Sequence, residues 1–154
     1  EHRLGLPDIQ EVISTMTPLE GALDFIEWLK EHFQLIILSD TFYEFSQPLM
    51  RQLSFPTLFC HRLVADESGA IVDYKLRQKD PKRQCVIAFH GLNFRVIAAG
   101  DSYNDTTMLS EADAGILFRA PDKVVAEFPQ FPSVSSYDEL RLEFIKASNR
   151  RLVL

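Results

Sequence analysis

At 154 residues and 17.7 kDa, with 46% hydrophobic and 25% charged residues, the chain is about one domain long and carries enough apolar side chain for a genuine core. Its net charge of −6 disfavours a polyanionic partner, and apolar runs such as 35–38 and 96–99 are far too short to cross a bilayer, so neither nucleic acid nor a membrane is expected. Cys60 and Cys85 lie in unrelated segments without Cys-x-x-Cys spacing, which argues for reduced thiols in a cytoplasmic compartment and against a disulfide framework or zinc.

Residues 1–15 begin without an initiator Met, and the chain is expected to be a fragment. The clearest helix signal starts at Thr17: Thr17-Pro18-Leu19-Glu20 offers an N-cap, a proline at the first helical position and an acid at the capping-box position. Leu19, Ala22, Leu23, Ile26 and Leu29 continue at helical spacing, and Trp28 is expected to pack. Residues 33–38 form a nearly continuous apolar run, as in a parallel strand buried on both faces, which ends at Ser39-Asp40-Thr41. A helix over 43–53, bent by Pro48, comes next. Period-two stretches at 58–65 and 71–76 then flank Glu67-Ser68-Gly69 and predict a small antiparallel hairpin.

Asp80-Pro81 is expected to cap a helix to about His90, with Gly91 as its stop, and 95–99 is a second buried-type strand that delivers Gly100 and Asp101. A helix over 104–113, a strand over 115–118, a helix over 121–128 and a terminal helix over 136–148 follow, the last with Ser136 and Glu139 at capping-box spacing. The repeated β-α order predicts an α/β fold with a doubly wound, mostly parallel sheet and a ligand site beyond the carboxyl ends of its strands.

Three placements can carry chemistry. Asp101 and Asp105 stand four apart across a strand-to-helix turn, where two facing acids repel unless a cation lies near them; oxygen-only ligation with room for water and a phosphate suits Mg²⁺, and Gly100 permits a tight turn before it. The alternative is structural: Asp101 as an N-cap and Asp105 as a first-turn acid complementing the helix dipole. Ser39, with the amides of Asp40 and Thr41 entering a helix, could hold a phosphate oxygen, although a serine there is commonly only a cap. Lys82 sits at the second position of a helix, where the dipole disfavours a cation unless an anion lies nearby; a solvated surface lysine is the alternative. All three occupy strand ends or helix starts, the ligand edge of such a fold. His2, His32, His61 and His90 show no metal spacing and receive no role, and the serine-hydrolase elbow, the nucleoside-triphosphate loop and the dinucleotide fingerprint are all missing.

Ser39 after one apolar strand, Lys82 at a helix start and Gly100-Asp101-Ser102-Tyr103-Asn104-Asp105 after another resemble, in order and spacing, motifs of the haloacid dehalogenase superfamily of phosphatases. Ile37-Leu38-Ser39-Asp40-Thr41-Phe42 and Lys79-Asp80-Pro81-Lys82-Arg83-Gln84 are similar to its bifunctional phosphoserine phosphatase/homoserine phosphotransferase branch, and the likeness spans nearly the whole chain. The resemblance implies that Ser39 hydrogen-bonds a transferring phosphoryl group and that Lys82 neutralises it. It further implies that Asp101 ligates Mg²⁺, that Asp105 holds the metal's surroundings as a second candidate ligand, and that Asn104 contacts phosphate or substrate. Asp40 stands where many phosphoserine phosphatases carry glycine, so its backbone amide is the part carried over to substrate binding.

The family's nucleophile is an aspartate in an Asp-x-Asp or Asp-x-Glu motif after the first strand, and no acid upstream of Ser39 follows an apolar strand here. By family layout the first strand and most of an inserted helical cap precede Glu1, with 1–15 the remnant of that cap and 16–154 an incomplete core. The expected activity is Mg²⁺-dependent hydrolysis of a phosphomonoester, O-phospho-L-serine in serine biosynthesis, with transfer to homoserine as a close variant; the fragment alone is expected to be inactive. The competing class is a non-catalytic phosphate- or metal-binding module, and a receiver-like domain is disfavoured because its acidic pair belongs at the first strand. Oligomeric state is not legible at this level.

Overall fold

The structure, a computed structural model, describes residues 5–148. His2, the first four residues of the 1–15 segment and the basic Asn149-Arg150-Arg151 cluster lie outside them. The chain divides into two compact units, one ending at Lys79 and the other beginning at Asp80.

In the first unit, α1 (Leu6–Ser14) packs on α3 (Tyr43–Gln52), while α2 (Ala22–His32) precedes strand β1 (Ile36–Phe42). The Thr17 capping box does not form. Gly21 adopts φ +80°, and a left-handed residue at that point breaks the helical path, so α2 starts only at Ala22. Its buried face is Phe25, Trp28 and Leu29, with Trp28 packed as expected, whereas Leu19 and Leu23 of the expected stripe are exposed.

Strand β1 is shifted towards the C-terminus relative to the apolar run, because Phe33 closes α2 by donating its N–H to the Leu29 carbonyl. It is half-buried, short of the two-faced burial that its composition suggested. β1 pairs in parallel with β2 (Thr57–Ala65), and β2 pairs antiparallel with β3 (Ile71–Lys75), which realises the expected hairpin. The Asp66 side chain closes its turn, accepting the N–H groups of Ser68 and Ala70. Pro48 lies inside α3 and has no N–H for the Glu44 carbonyl one turn back; Gln10 Nε2 of α1 donates to that oxygen instead at 2.8 Å.

The second unit runs α4 (Pro81–Gly91), β4 (Ile97–Gly100), a single 3₁₀ turn (Tyr103–Asp105), α5 (Thr106–Glu111), β5 (Ala114–Phe118), α6 (Asp122–Glu127), β6 (Ser133–Val134) and α7 (Tyr137–Ser148). β4, β5 and β6 are all parallel. Gly91 remains helical, and the left-handed residue that follows α4 is Asn93 at φ +61°. Asp80 does not cap α4: it is itself left-handed at φ +49°, and its carboxylate accepts the Thr107 hydroxyl at 2.8 Å. The expected box at α7 is present, with Glu139 accepting the N–H groups of Ser135 and Ser136, which holds its carboxyl down at about 2. β6, only two residues long, was not anticipated.

The α/β alternation and the predominance of parallel pairing match the expected architecture, with one difference. Among the described residues the strands form two three-stranded sheets, β1-β2-β3 and β4-β5-β6, each contained in its own unit. β1 and β4 are therefore both edge strands. Cys60 and Cys85 are free and buried, and burial pushes the Cys60 thiol up to about 11. No described helix is long and apolar enough to cross a membrane.

Candidate active site

In the first unit, β1 leaves its regular pairing with β2 between Leu38, opposite Phe59, and Phe42, opposite His61. The four-residue step on one strand against two on the other pushes Ser39, Asp40 and Thr41 out of the ladder as a bulge. This corrects the expectation that the Asp40 and Thr41 amides enter a helix: both residues are extended, and α3 begins at Tyr43. The Thr41 N–H donates to Ser39 Oγ at 3.2 Å, so the hydroxyl is oriented by its own loop. Behind Asp40 lies His61, which received no role from sequence. It is buried, its Nδ1 accepts the Arg77 N–H at 3.2 Å, and its Nε2 is left to face Asp40 Oδ1 at 4.0 Å.

In the second unit, Lys82, Asp101, Asn104 and Asp105 come together at the carboxyl end of β4. Asp105 is buried and each of its oxygens is engaged: Oδ1 accepts Lys82 Nζ at 2.7 Å, while Oδ2 accepts the N–H groups of Asp101 (3.0 Å) and Ser102 (3.1 Å) and the Ser102 hydroxyl (3.0 Å). Burial alone would raise this carboxyl; the Lys82 hydrogen bond and charge, with Ser102 and the Asp101 amide, outweigh it and hold the group below the usual carboxylate range. Lys82 is as buried as its partner, so the cation that the helix dipole disfavours at this position is stabilised by an ion pair out of water.

Gly100 makes that pairing possible. A Cβ there would lie 2.5 Å from Asp105 Cβ and 2.6 Å from its Cγ, so the glycine serves close approach; its φ is not in the left-handed region. Two further contacts tie α4 to α5, Thr107 Oγ1 on Asp80 and Arg83 Nε on Glu111 at 2.8 Å.

The two acids thus separate. Asp105 occupies the third position of the 3₁₀ turn and folds its carboxylate back onto the Ser102 amide, the acidic half of a capping box whose first residue is Ser102. Asp101 is no cap. It is exposed, and among the described residues its carboxylate meets no hydrogen-bond or ion-pair partner. Ser102 was missed from sequence, although its spacing to Asp105 is the signal; its Oγ also lies 2.6 Å from Asn104 Oδ1, so that Asn104 and Asp105 share its one proton.

An oxygen-ligated cation fits this donor set. Mg²⁺ typically takes one or two carboxylates and completes its shell with water and substrate oxygen, and Asp101 is one open carboxylate beside an acid already neutralised. Among the described residues no group of three or more His, Cys, Asp or Glu side chains could hold a metal by itself.

A family model described as haloacid dehalogenase-like hydrolase matches residues 5–110. A phosphoserine phosphatase of Pseudomonas syringae pv. tomato is 72% identical over all 154 residues, and the phosphoserine phosphatase ThrH of Pseudomonas aeruginosa is 70% identical over the same span. The chain spans 65% of the length of the first and 75% of the second. Among solved structures, a phosphoserine phosphatase in its apo form aligns with a TM-score of 0.75 at 21% identity, covering 90% of this chain and 72% of that one. With the family model covering more than half of it and relatives this similar along its full length, the chain belongs to the haloacid dehalogenase-like hydrolases.

Proposed function

We propose that the chain is part of a Mg²⁺-dependent phosphomonoester hydrolase acting on O-phosphoserine. The observation that carries the reading is the division of labour at the end of β4: Lys82 and Asp105 are locked together while Asp101 is left open to a ligand. The 70–72% identity to two phosphoserine phosphatases supports the substrate.

In this reading Asp101 holds Mg²⁺, with Asp105 fixing the loop that presents it. Bound there, the metal would supply positive charge to phosphoryl oxygens. Ser39 donates its hydroxyl to a phosphoryl oxygen, the Asp40 amide adds a second donor, and Asn104 offers its side-chain amide. In the second unit Lys82 offers its ammonium to a phosphoryl oxygen while Asp105 holds that ammonium in place. The attacking carboxylate comes from outside the described residues, and residues 1–15 are assigned to the cap over the substrate. Water as the second acceptor gives hydrolysis; a substrate hydroxyl such as that of homoserine gives transfer.

The full-length gene product with Mg²⁺ should release phosphate from O-phosphoserine. A correctly folded protein that releases none would overturn the assignment.

A further inference from the structure

The hairpin of the first unit presents an edge that neither the fold nor the proposed reaction uses. Among the described residues β3 pairs with β2 on one side only and every one of its residues is exposed, although Ile71, Val72 and Tyr74, and Leu76 just beyond, are large and apolar. Open, flat, apolar edges are ordinarily blunted by proline, lysine or a covering element because they invite another strand.

Two hydrogen bonds define which groups this edge offers. Leu63 and Tyr74 are opposite one another in the hairpin, yet the Leu63 N–H goes to Glu44 Oε2 at 2.8 Å and the Tyr74 N–H goes to the Asp73 side chain at 2.8 Å. They are thus a pair that does not exchange ladder bonds, and the N–H and C=O of Tyr74 point away from β2, to the open side. A second antiparallel strand would meet those groups.

The sequence of β3 is complementary to itself about this residue. Centring a two-fold axis on Tyr74 sets Tyr74 opposite Tyr74 of the second copy in a ladder-bonded pair, Val72 opposite Leu76, and Asp73 opposite Lys75. Both ion pairs form at once, since the axis generates each twice. Lys75 has reason to accept such a partner: its neighbour across the hairpin is Arg62, a like charge, and no described carboxylate pairs with it.

We propose that the open edge of β3 joins two copies of this chain, β3 against β3, in a continuous six-stranded sheet with Asp73 and Lys75 as reciprocal pairs. The Asp73 carboxylate exchanges its bond to the Tyr74 N–H for Lys75 of the second copy, and the Tyr74 N–H is taken up by the ladder.

Charge reversal tests the register directly, because Asp73 and Lys75 are exposed and reversing them leaves the core untouched. Sedimentation equilibrium of the full chain should give a dimer. Asp73→Lys places lysine opposite lysine, and Lys75→Asp places aspartate opposite aspartate; each should weaken dimerisation by about tenfold or more, with unchanged circular dichroism. Mixing the two variants restores both attractive pairs, so a heterodimer should form where each variant alone is monomeric. Within the described sheets β1 and β4 are also edge strands, and self-association through either would ignore these reversals. A monomeric wild type at hundred-micromolar concentration, or a dimer indifferent to both substitutions and to their mixing, would overturn the proposal.

Discussion

The two units hold their candidate phosphate-binding groups in different ways. In the second unit Lys82 is fixed by a buried carboxylate, that carboxylate is fixed by two amides and a hydroxyl, and a glycine leaves the room in which they meet. In the first unit Ser39 stands in a bulge, oriented by one 3.2 Å bond from Thr41. The cation is preorganised by the fold's own interior, whereas the hydroxyl is placed by an irregularity in strand pairing. Substitutions at the buried pair should therefore damage folding, whereas those at Ser39 should damage chemistry with little cost to the fold.

The largest effect is expected at the buried pair. Lys82→Met leaves Asp105 charged without its cation and Asp105→Ala removes the buried anion from Lys82, each costing about 3–5 kcal/mol in urea unfolding. The double substitution should cost less than the sum of the two, which a double-mutant cycle would read. Asp101→Asn should behave oppositely, with stability altered by less than about 0.5 kcal/mol. In the full-length gene product the same change should lower turnover on O-phosphoserine by about a hundredfold or more, because metal and protein groups act as a unit. Normal turnover in that variant would remove Asp101 from the metal.

Gly100→Ala should fall between, at about 1–3 kcal/mol, since the added methyl meets the Asp105 side chain and must displace it. Its unfolding midpoint, set beside that of Ser39→Ala, contrasts the two units: Ser39→Ala should cost under about 1 kcal/mol, the price of one partly solvated hydrogen bond. The smallest effect is a pH dependence at α7. The Glu139 carboxyl is held at about 2 against an ordinary 4.5, so its contribution is complete above about pH 5 and is lost as pH falls towards 2. Glu139→Gln should flatten the acid limb of a stability profile over that window, and an unchanged limb would remove the box from the account.

What could be read from sequence follows the range of the interactions that decide it. The hairpin and the α7 box were legible because period-two alternation and Ser136-to-Glu139 spacing are local. The need of Lys82 for an anion was also visible, but its partner, 23 residues away, was not. Asp101 and Asp105 could not be told apart in one dimension; which of them is structural depends on the carboxylate turning back onto Ser102 and on the close approach of Asp105 that the missing Cβ of Gly100 allows. Thr17 misled because a good capping sequence is overruled by one left-handed glycine at Gly21. Ser39 was placed at a strand end and found in a bulge, since register belongs to two strands and is invisible in either.

Pro48 has an evolutionary corollary. By withholding an N–H it leaves the Glu44 carbonyl to the side chain of Gln10, 34 residues upstream, and so turns a defect inside α3 into an attachment point for α1. A relative with an ordinary residue at position 48 satisfies that carbonyl within its own helix and frees position 10 to change. The two positions should consequently vary together among descendants of a common ancestor, one recording the history of the other.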